Sequence, residues 1–214
     1  MSAEAVDASA GVLDLDLDVP LPAVAAPTGT ATATDVRVLL RRGSIPVRVV
    51  DVAVPAGGLG PDALAAAVDP DAWPASDRDV VDPDARDLTV AIATRDRPVA
   101  LGWALESVLA AAAPPARVIV VDNAPSHEAT AELVAERYGA DRRVTYVRED
   151  VPGLATAHNA ALPHVATGLV AFTDDDVLVD RWWTARIAAA FAAADDVACV
   201  TGLIFPAELT TPEQ

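Results

Sequence analysis

The chain has 214 residues, a formal net charge of −17 at pH 7, and 52% hydrophobic residues with only 4% aromatic ones. This length indicates one domain with a modest appendage and excludes a small peptide that needs disulfides or metals to fold. The acidic balance, with arginine as the only strong base, excludes nucleic-acid binding through a basic surface.

The sequence carries one cysteine and no targeting segment that we recognise. Cys199 has no partner for an internal disulfide, which fits a reducing cytosol, and we predict it to be a small buried apolar residue. No basic start precedes an apolar run, and no uninterrupted apolar stretch reaches about 18 residues. We therefore predict a cytoplasmic protein without a transmembrane segment, and leave peripheral contact with a membrane open.

Residues 1–34 are rich in Ala, Thr, Asp and Pro and contain few large apolar side chains. Such a composition buries too little surface to offset the entropy of ordering, so we predict a disordered acidic tail. Within it, residues 13–18 alternate leucine with aspartate. We interpret this alternation as a solvated tail, with an acidic docking motif or a fragment of an edge strand as alternatives.

Residues 35–87 form a small segment and a linker. The apolar runs Val36–Leu40 and Val47–Val54 flank Gly43 and predict two strands joined by a tight turn. Residues 63–68 favour a short helix on which this hairpin can pack. Residues 69–87 combine prolines with aspartates and indicate a linker.

Residues 88–214 alternate short apolar strands with helical patterns. This order predicts an α/β domain with a mostly parallel sheet and helices on both faces, whose ligands bind beyond the carboxyl ends of the strands. The predicted strands are Leu88–Ala93, Val118–Val121, Val144–Val147, Leu169–Thr173 and Val197–Thr201, and the predicted helices are Pro98–Ala112, Ser126–Tyr138, Leu154–Val165 and Trp182–Ala193.

Polar residues follow the first two of these strands. Thr94, Arg95 and Asp96 precede a predicted helix, where Asp96 can cap the helix and the free N–H groups suit an anion. Asp122 and Asn123 end the second strand, where a carboxylate and an amide can recognise a nucleobase edge. An Asx turn would explain Asp122 and Asn123 equally well.

The fourth strand ends in three aspartates, Asp174, Asp175 and Asp176. On an extended backbone, Asp174 and Asp176 point the same way, roughly 6.6 Å apart. Two carboxylates at 4 Å repel by about 4 kcal/mol at an effective dielectric constant of 20, so a cation is expected between them. Oxygen ligands suit Mg²⁺ or Mn²⁺, which would also allow an acidic protein to bind a diphosphate. A solvated acidic turn is the alternative.

The segment before that strand contains Gly153, His158 and Asn159. Gly153 permits a close backbone approach, and Asn159 follows within the predicted helix. His158 could bind a phosphate, although a single helical histidine is more often a structural group.

Taken together, these strand-end motifs resemble the family 2 glycosyltransferases of GT-A fold. The resemblance implies a three-layer α/β sandwich that binds a nucleotide-diphospho-sugar. It implies that Asp174 and Asp176 form an Asp-X-Asp motif, with Asp174 nearer the ribose and Asp176 on a divalent metal. The residues that it places around the donor are Thr94, Arg95, Asp122, Asn123, Gly153, Asn159, Asp174 and Asp175.

The activity that the resemblance implies is transfer of a sugar to an acceptor hydroxyl with inversion at the anomeric carbon. The acceptor could be a saccharide, a lipid or another hydroxyl compound. The family continues beyond the equivalent of Gln214 into an acceptor-binding part that supplies a carboxylate base, so we expect residues 88–214 to be an incomplete donor-binding domain with no assignable catalytic residue. The alternative is a non-catalytic nucleotide-binding or protein-interaction module.

Overall fold

The computed structural model describes residues 6–8, 11–26, 34–43, 45–73 and 84–207. These residues divide into two compact units, one containing the described residues up to 73 together with 201–207, the other containing residues 84–200. Most of the predicted linker over residues 69–87 lies outside the described residues. None of the helices in the described ranges combines the length and the apolar character that crossing a bilayer requires.

The first unit is built on a three-stranded sheet in which the central strand pairs with a parallel neighbour on one side and an antiparallel neighbour on the other. A short helix and a two-stranded parallel pair accompany this sheet. Its elements are β1 (Val6–Asp7), β2 (Val12–Asp16), β3 (Val24–Ala25), β4 (Thr34–Arg42), β5 (Ile45–Val54), α1 (Pro61–Val68) and the 3₁₀ turn Pro70–Ala72.

The hairpin of β4 and β5 and the helix α1 confirm the prediction for this segment, whereas the prediction of a disordered tail over residues 1–34 is wrong for its described part. Strand β2 lies along β4, and its Leu13 and Leu15 are buried with Val36 and Val38 in one apolar cluster. Pairing with β4 places these leucines on one face of the sheet, and the same apolar cluster contains Leu64 and Val68 of α1. The edge-strand alternative is therefore correct for residues 12–16.

The second unit is a four-stranded parallel sheet with the strand order β8-β7-β6-β9. Helices follow the strands in the predicted alternation, and a 3₁₀ turn at Leu162–His164 extends the third of them. The elements are β6 (Leu88–Thr94), α2 (Pro98–Leu109), β7 (Arg117–Asn123), α3 (Ala129–Tyr138), β8 (Val144–Glu149), α4 (Leu154–Ala161), β9 (Leu169–Asp174) and α5 (Trp183–Ala192).

Helices cover both faces of this sheet. On one face, side chains of β6 and β7 pack against residues of α2, α3 and α5, including Leu101, Val134 and Ala185. On the other face, Ala91 and Ile119 pack against α4. Because β6 and β7 are buried on both faces, they contain almost continuous runs of apolar residues, as parallel strands do. The predicted α/β class with three layers is confirmed.

The structure differs from the prediction after α5. Residues 197–200 form no strand, and Cys199, predicted to be buried, is exposed. An apolar run becomes a strand only where an existing edge receives its hydrogen bonds, and within the described residues β9 pairs only with β6. Small residues such as Ala198 and Cys199 also gain little from burial, so composition alone could not decide their environment.

Candidate functional site at the carboxyl edge of the parallel sheet

The register of the parallel sheet brings the predicted site residues to one edge. Thr94 of β6 lies opposite Asp122 of β7, and the neighbouring Ala93 lies opposite Asp174 of β9. Because all four strands run the same way, their polar carboxyl ends meet beyond the same edge of the core. The edge therefore contains an acidic group from β9, a second acidic group from β7 and a hydroxyl from β6.

The three aspartates after β9, residues 174–176, are called the acidic turn from here on. Strand β9 ends at Asp174, and Asp175 and Asp176 already belong to a turn, so the expectation of an extended backbone through Asp176 is wrong. Asp174 and Asp176 are exposed while Asp175 is buried. Two carboxylates of the acidic turn are thus open to a ligand, and one is not.

The buried member of the acidic turn, Asp175, is held by two donors from the segment after β6. The Thr94 hydroxyl donates to its Oδ2 at 2.7 Å, and Nη1 of Arg97 donates to its Oδ1 at 3.2 Å. A buried carboxylate needs such donors, since an unpaired one would lose its hydration without replacement. The sequence predicted Thr94 and Asp175 to lie around the ligand; in the structure they are buried and stabilise the acidic turn.

Arg97 also contacts the exposed side of the acidic turn. Its Nη1 donates to Oδ2 of Asp176 at 2.9 Å, so that one guanidinium bridges two carboxylates. The hydrogen bond to Asp175 is the main reason why the pKa of Arg97 is raised, and Asp176 adds to it. Arg97 is not among the site residues predicted from the sequence, although a cation in the loop after β6 and an acidic triplet after an adjacent strand are a usable signal for such a contact.

Asp122 of β7 lies under the surface of the same edge. It is 0% exposed, its Oδ2 accepts a hydrogen bond from the Tyr146 hydroxyl at 2.9 Å, and its Oδ1 has no partner among the described residues. Burial raises the pKa of Asp122. Burial and the bond to Asp122 likewise raise the pKa of Tyr146 to about 12, so the hydroxyl remains a donor at neutral pH. A buried acceptor is left unsatisfied, which proteins rarely tolerate without a function.

Asn123, the last residue of β7, positions the loop that leads into α4. Its Nδ2 donates to the carbonyl of Val151 at 2.8 Å, and its Oδ1 accepts from the backbone N–H of Gly153 at 2.8 Å. Gly153 has φ +142°, a value that side-chain-bearing residues rarely adopt, and a Cβ there would lie 3.2 Å from Oγ1 of Thr156. The amide and the glycine together set where α4 begins.

Helix α4 presents His158 and Asn159, the latter exposed. The ring of His158 lies 4.3 Å from that of Phe172 on β9, measured between centroids. Phe172 and Asp174 are two residues apart on β9 and therefore point to the same side of the sheet. This ring contact places His158 on the Asp174 side of the edge.

The loops after β6 and β7 are tied together by Asp96. Its Oδ1 accepts a hydrogen bond from the backbone N–H of Ser126 at 2.9 Å, and this bond is the main cause of the lowered pKa of Asp96. Asp96 does not cap α2 as predicted, because Arg97 occupies the cap position and Asp96 adopts φ +57°. Arg95, in the same loop, is exposed.

The carboxylates of the edge fit a divalent cation shared with a ligand. Over the described ranges, no group of three or more acidic, histidine or cysteine side chains is arranged to enclose a metal alone. Mg²⁺, however, is commonly held by one or two carboxylates together with substrate phosphates and water. Exposed Asp174 and Asp176 supply that number of oxygen ligands, so the donor set suits a metal that arrives with a diphosphate.

Comparison with known proteins adds a family match. The model of a family described as glycosyl transferase family 2 matches residues 89–213, more than half of the chain. A search of curated proteins found no match.

Among solved structures, a mannosyltransferase, PcManGT from Pyrobaculum calidifontis in complex with GDP-Man and Mn²⁺, is similar at 28% identity with a TM-score of 0.46. The match covers 52% of this chain and 35% of that one. S. aureus TarS 1-349 in complex with UDP is similar at 23% identity with a TM-score of 0.44, covering 50% of this chain and 32% of that one. The chain thus spans about a third of the length of these two proteins.

Proposed function

The chain belongs to glycosyl transferase family 2, and from this premise we propose that the carboxyl edge binds a nucleotide-diphospho-sugar and transfers its sugar to an acceptor hydroxyl. The observation that carries the proposal is the acidic turn. Its middle residue is buried and anchored by Thr94 and Arg97, while Asp174 and Asp176 remain exposed. A solvated acidic turn would need no such buried anchor.

In this proposal, Asp174 and Asp176 hold Mg²⁺ or Mn²⁺, Asp174 also lying nearer the ribose. When bound, the metal would stabilise the negative charge that develops on the departing diphosphate. The hydrogen bond between Thr94 and Asp175 fixes the position of the acidic turn, so that Asp174 and Asp176 can both bind the same metal ion. Preorganisation of this kind avoids a reorganisation penalty during the reaction.

The nucleotide would lie between the ends of β6 and β7. The unpartnered Oδ1 of Asp122 is the acceptor that an N–H of the base would satisfy, after the side chains that now bury it move aside. Tyr146 holds the other oxygen in place. Arg95 of the loop after β6 would border the nucleotide from the exposed side.

The sugar and diphosphate side of the donor would be shaped by the start of α4. Asn123 fixes the loop that contains Gly153, and the glycine allows the backbone to approach the diphosphate without a side chain between them. Asn159 then offers an exposed amide about a turn and a half along the helix. The transfer is proposed to invert the anomeric carbon, with the acceptor hydroxyl deprotonated by a base that we do not assign to a residue.

The test is thermal unfolding of the full chain with UDP-sugars and GDP-sugars, each with and without MnCl₂. Ligand at a hundred times its Kd stabilises the fold by about 2.7 kcal/mol, which corresponds to a rise in Tm of about 5–11 °C. We expect the full rise only when nucleotide sugar and Mn²⁺ are both present. Asp176→Asn should abolish it, because a metal bridging protein and diphosphate would lose one of its two carboxylates.

Asp195→Asn is the matched control. Asp195 is an exposed aspartate of the same unit that lies outside the proposed site, so its loss should leave the shift unchanged. Absence of any shift in the wild type with UDP-sugars and GDP-sugars in the presence of MnCl₂ would contradict the proposal. A shift without sugar transfer to any acceptor would favour the alternative, a nucleotide-binding module without catalysis.

A further inference from the structure

The contact between Arg97 and the acidic turn does more than hold the turn in place. One nitrogen, Nη1, donates to Oδ1 of Asp175 at 3.2 Å and to Oδ2 of Asp176 at 2.9 Å. The guanidinium therefore already supplies positive charge where the proposed function requires a divalent cation.

The two carboxylates that Arg97 bridges are held very differently. The side chain of Asp175 is 6% exposed, and its second oxygen accepts from Thr94, so both of its oxygens are bonded. The side chain of Asp176 is 59% exposed, and Arg97 is its one hydrogen-bond donor among the described residues. Breaking the contact with Asp176 would leave Arg97 paired with its buried anchor, so this contact is the exchangeable one.

We propose that Arg97 is a resident counter-cation that gives up Asp176 to the divalent metal and then binds the diphosphate of the donor while it remains anchored on Asp175. The inference rests on the proposed function, because it takes the metal and the diphosphate from it. The inference adds that Arg97 exchanges Asp176 for the diphosphate, which follows neither from the family match nor from the Asp-X-Asp motif.

The chemistry of the guanidinium group permits both roles. Arginine has five N–H donors, and in the described structure only Nη1 of Arg97 donates to the protein. Nε and Nη2 therefore remain for a phosphate, which guanidinium groups bind through paired hydrogen bonds. The side chain is 58% exposed, which gives these donors access to a ligand.

The exchange predicts two effects of opposite sign when Arg97 is replaced. Metal alone must displace Arg97 from Asp176, so removal of the guanidinium should tighten the binding of metal alone. Diphosphate in the presence of metal gains donors from Arg97, so the same substitution should weaken its binding. A residue that only supports the turn would weaken both.

The experiment is calorimetric titration of full-length wild type and Arg97→Met with MnCl₂ alone, then with UDP and GDP at saturating MnCl₂. We expect the Kd of Mn²⁺ alone to fall about threefold, the size typical of an exposed ion pair. We expect the Kd of the bound nucleoside diphosphate to rise about tenfold, as for loss of a charge-assisted hydrogen bond.

Arg137→Met is the control for the change in net charge. Arg137 is 57% exposed and makes one ion pair, with Glu106 at 3.2 Å, so it matches Arg97 in exposure but lies outside the acidic turn. Its substitution should move both dissociation constants by less than about twofold. If Arg97→Met fails to fold by circular dichroism, Arg97→Lys serves instead, with Mn²⁺ affinity near that of the wild type and weaker nucleotide binding.

Each result decides the inference. Tighter binding of Mn²⁺ alone together with weaker binding of the nucleoside diphosphate in Arg97→Met supports the inference. The exchange would be overturned if Arg97→Met weakened the binding of both ligands, left both unchanged, or tightened Mn²⁺ binding without changing diphosphate binding. The proposed function would still stand in these cases, since the wild type would still bind both ligands. Failure of the wild type to bind Mn²⁺ with either diphosphate would overturn both.

Discussion

The sheet of the first unit and the carboxyl edge of the second unit differ in how their charged side chains are paired. In the first unit, arginines of β4 lie directly opposite aspartates on both neighbouring strands. Arg37 pairs with Asp51 at 2.9 Å, and Arg41 pairs with Asp14 and Asp16 at 2.6 and 3.2 Å. In the second unit, the carboxyl edge holds exposed carboxylates and one buried carboxylate oxygen without a partner.

The difference separates charges that stabilise a surface from charges that await a ligand. Cross-strand pairs on a solvated face are complete in themselves, and each contributes little. A buried unsatisfied acceptor instead destabilises the fold until something supplies a donor. The acidic residues of the carboxyl edge are therefore the ones whose substitution should reveal a function, and the following substitutions test this distinction.

Asp175→Ala should have the largest effect on stability. It leaves the Thr94 hydroxyl and one donor of Arg97 without their buried acceptor, and hydrogen bonds to a charged group of this kind contribute about 3 kcal/mol together. Urea denaturation followed by circular dichroism measures the loss. Asp195→Ala, on the exposed surface, is the control, and an equal loss in both variants would remove the special role of the buried anchor.

Gly153→Ala should destabilise the second unit by about 2 kcal/mol, because alanine is strained at φ +142° and its Cβ would crowd Thr156. Differential scanning calorimetry checks this through the melting temperature. Gly202→Ala is the comparison, since a Cβ there meets no atom within 4 Å and the backbone has no positive φ. Equal stability of the two variants would show that the loop before α4 is not constrained.

Asp122→Asn should stabilise the protein at pH 8 by about 1 kcal/mol, because the neutral amide avoids the desolvation that burial imposes on a charged carboxylate. Burial raises the pKa of Asp122 above its unfolded value, so the stability that its protonated form contributes is complete below about pH 4 and is lost as the pH rises through the folded-state pKa.

The gain from Asp122→Asn should therefore disappear at and below pH 4, which urea denaturation at several pH values measures. We also expect weaker nucleotide binding from this variant, because a carboxylate acceptor is replaced by an amide. A variant that is less stable than the wild type at pH 8 would show that the charge of Asp122 is compensated in the fold.

Arg37→Met should have the smallest effect. Its pair with Asp51 lies on the solvated face of the first unit, and such pairs are screened by salt. We expect a Tm within about 2 °C of the wild type, a difference that shrinks in 1 M NaCl, and unchanged binding of nucleotide and metal. A salt-insensitive loss, or weaker nucleotide binding, would break the distinction between the two units.

The alternation of elements in residues 88–192 was predictable from the sequence because apolar strands and helical patterns differ in period. The exposure of each polar residue at the strand ends was not. Thr94 and Asp175 are buried while Asp176 is exposed, and this depends on where β9 stops and on which side Arg97 approaches. Strand β2 was missed for a similar reason, since it forms only by pairing with β4, about 25 residues later, and its leucines are then buried in the cluster of that unit.

The central claim is that metal and nucleoside diphosphate meet at the acidic turn. Paramagnetic broadening of amide NMR signals tests it most directly, because Mn²⁺ weakens the signals of nearby residues. With Mn²⁺ and a bound nucleoside diphosphate, the account predicts the strongest broadening at residues 174–176 and next at residues 94–97, with a weaker effect at the opposite ends of strands β6 and β7. Broadening centred elsewhere, or unchanged by Asp176→Asn, would contradict it.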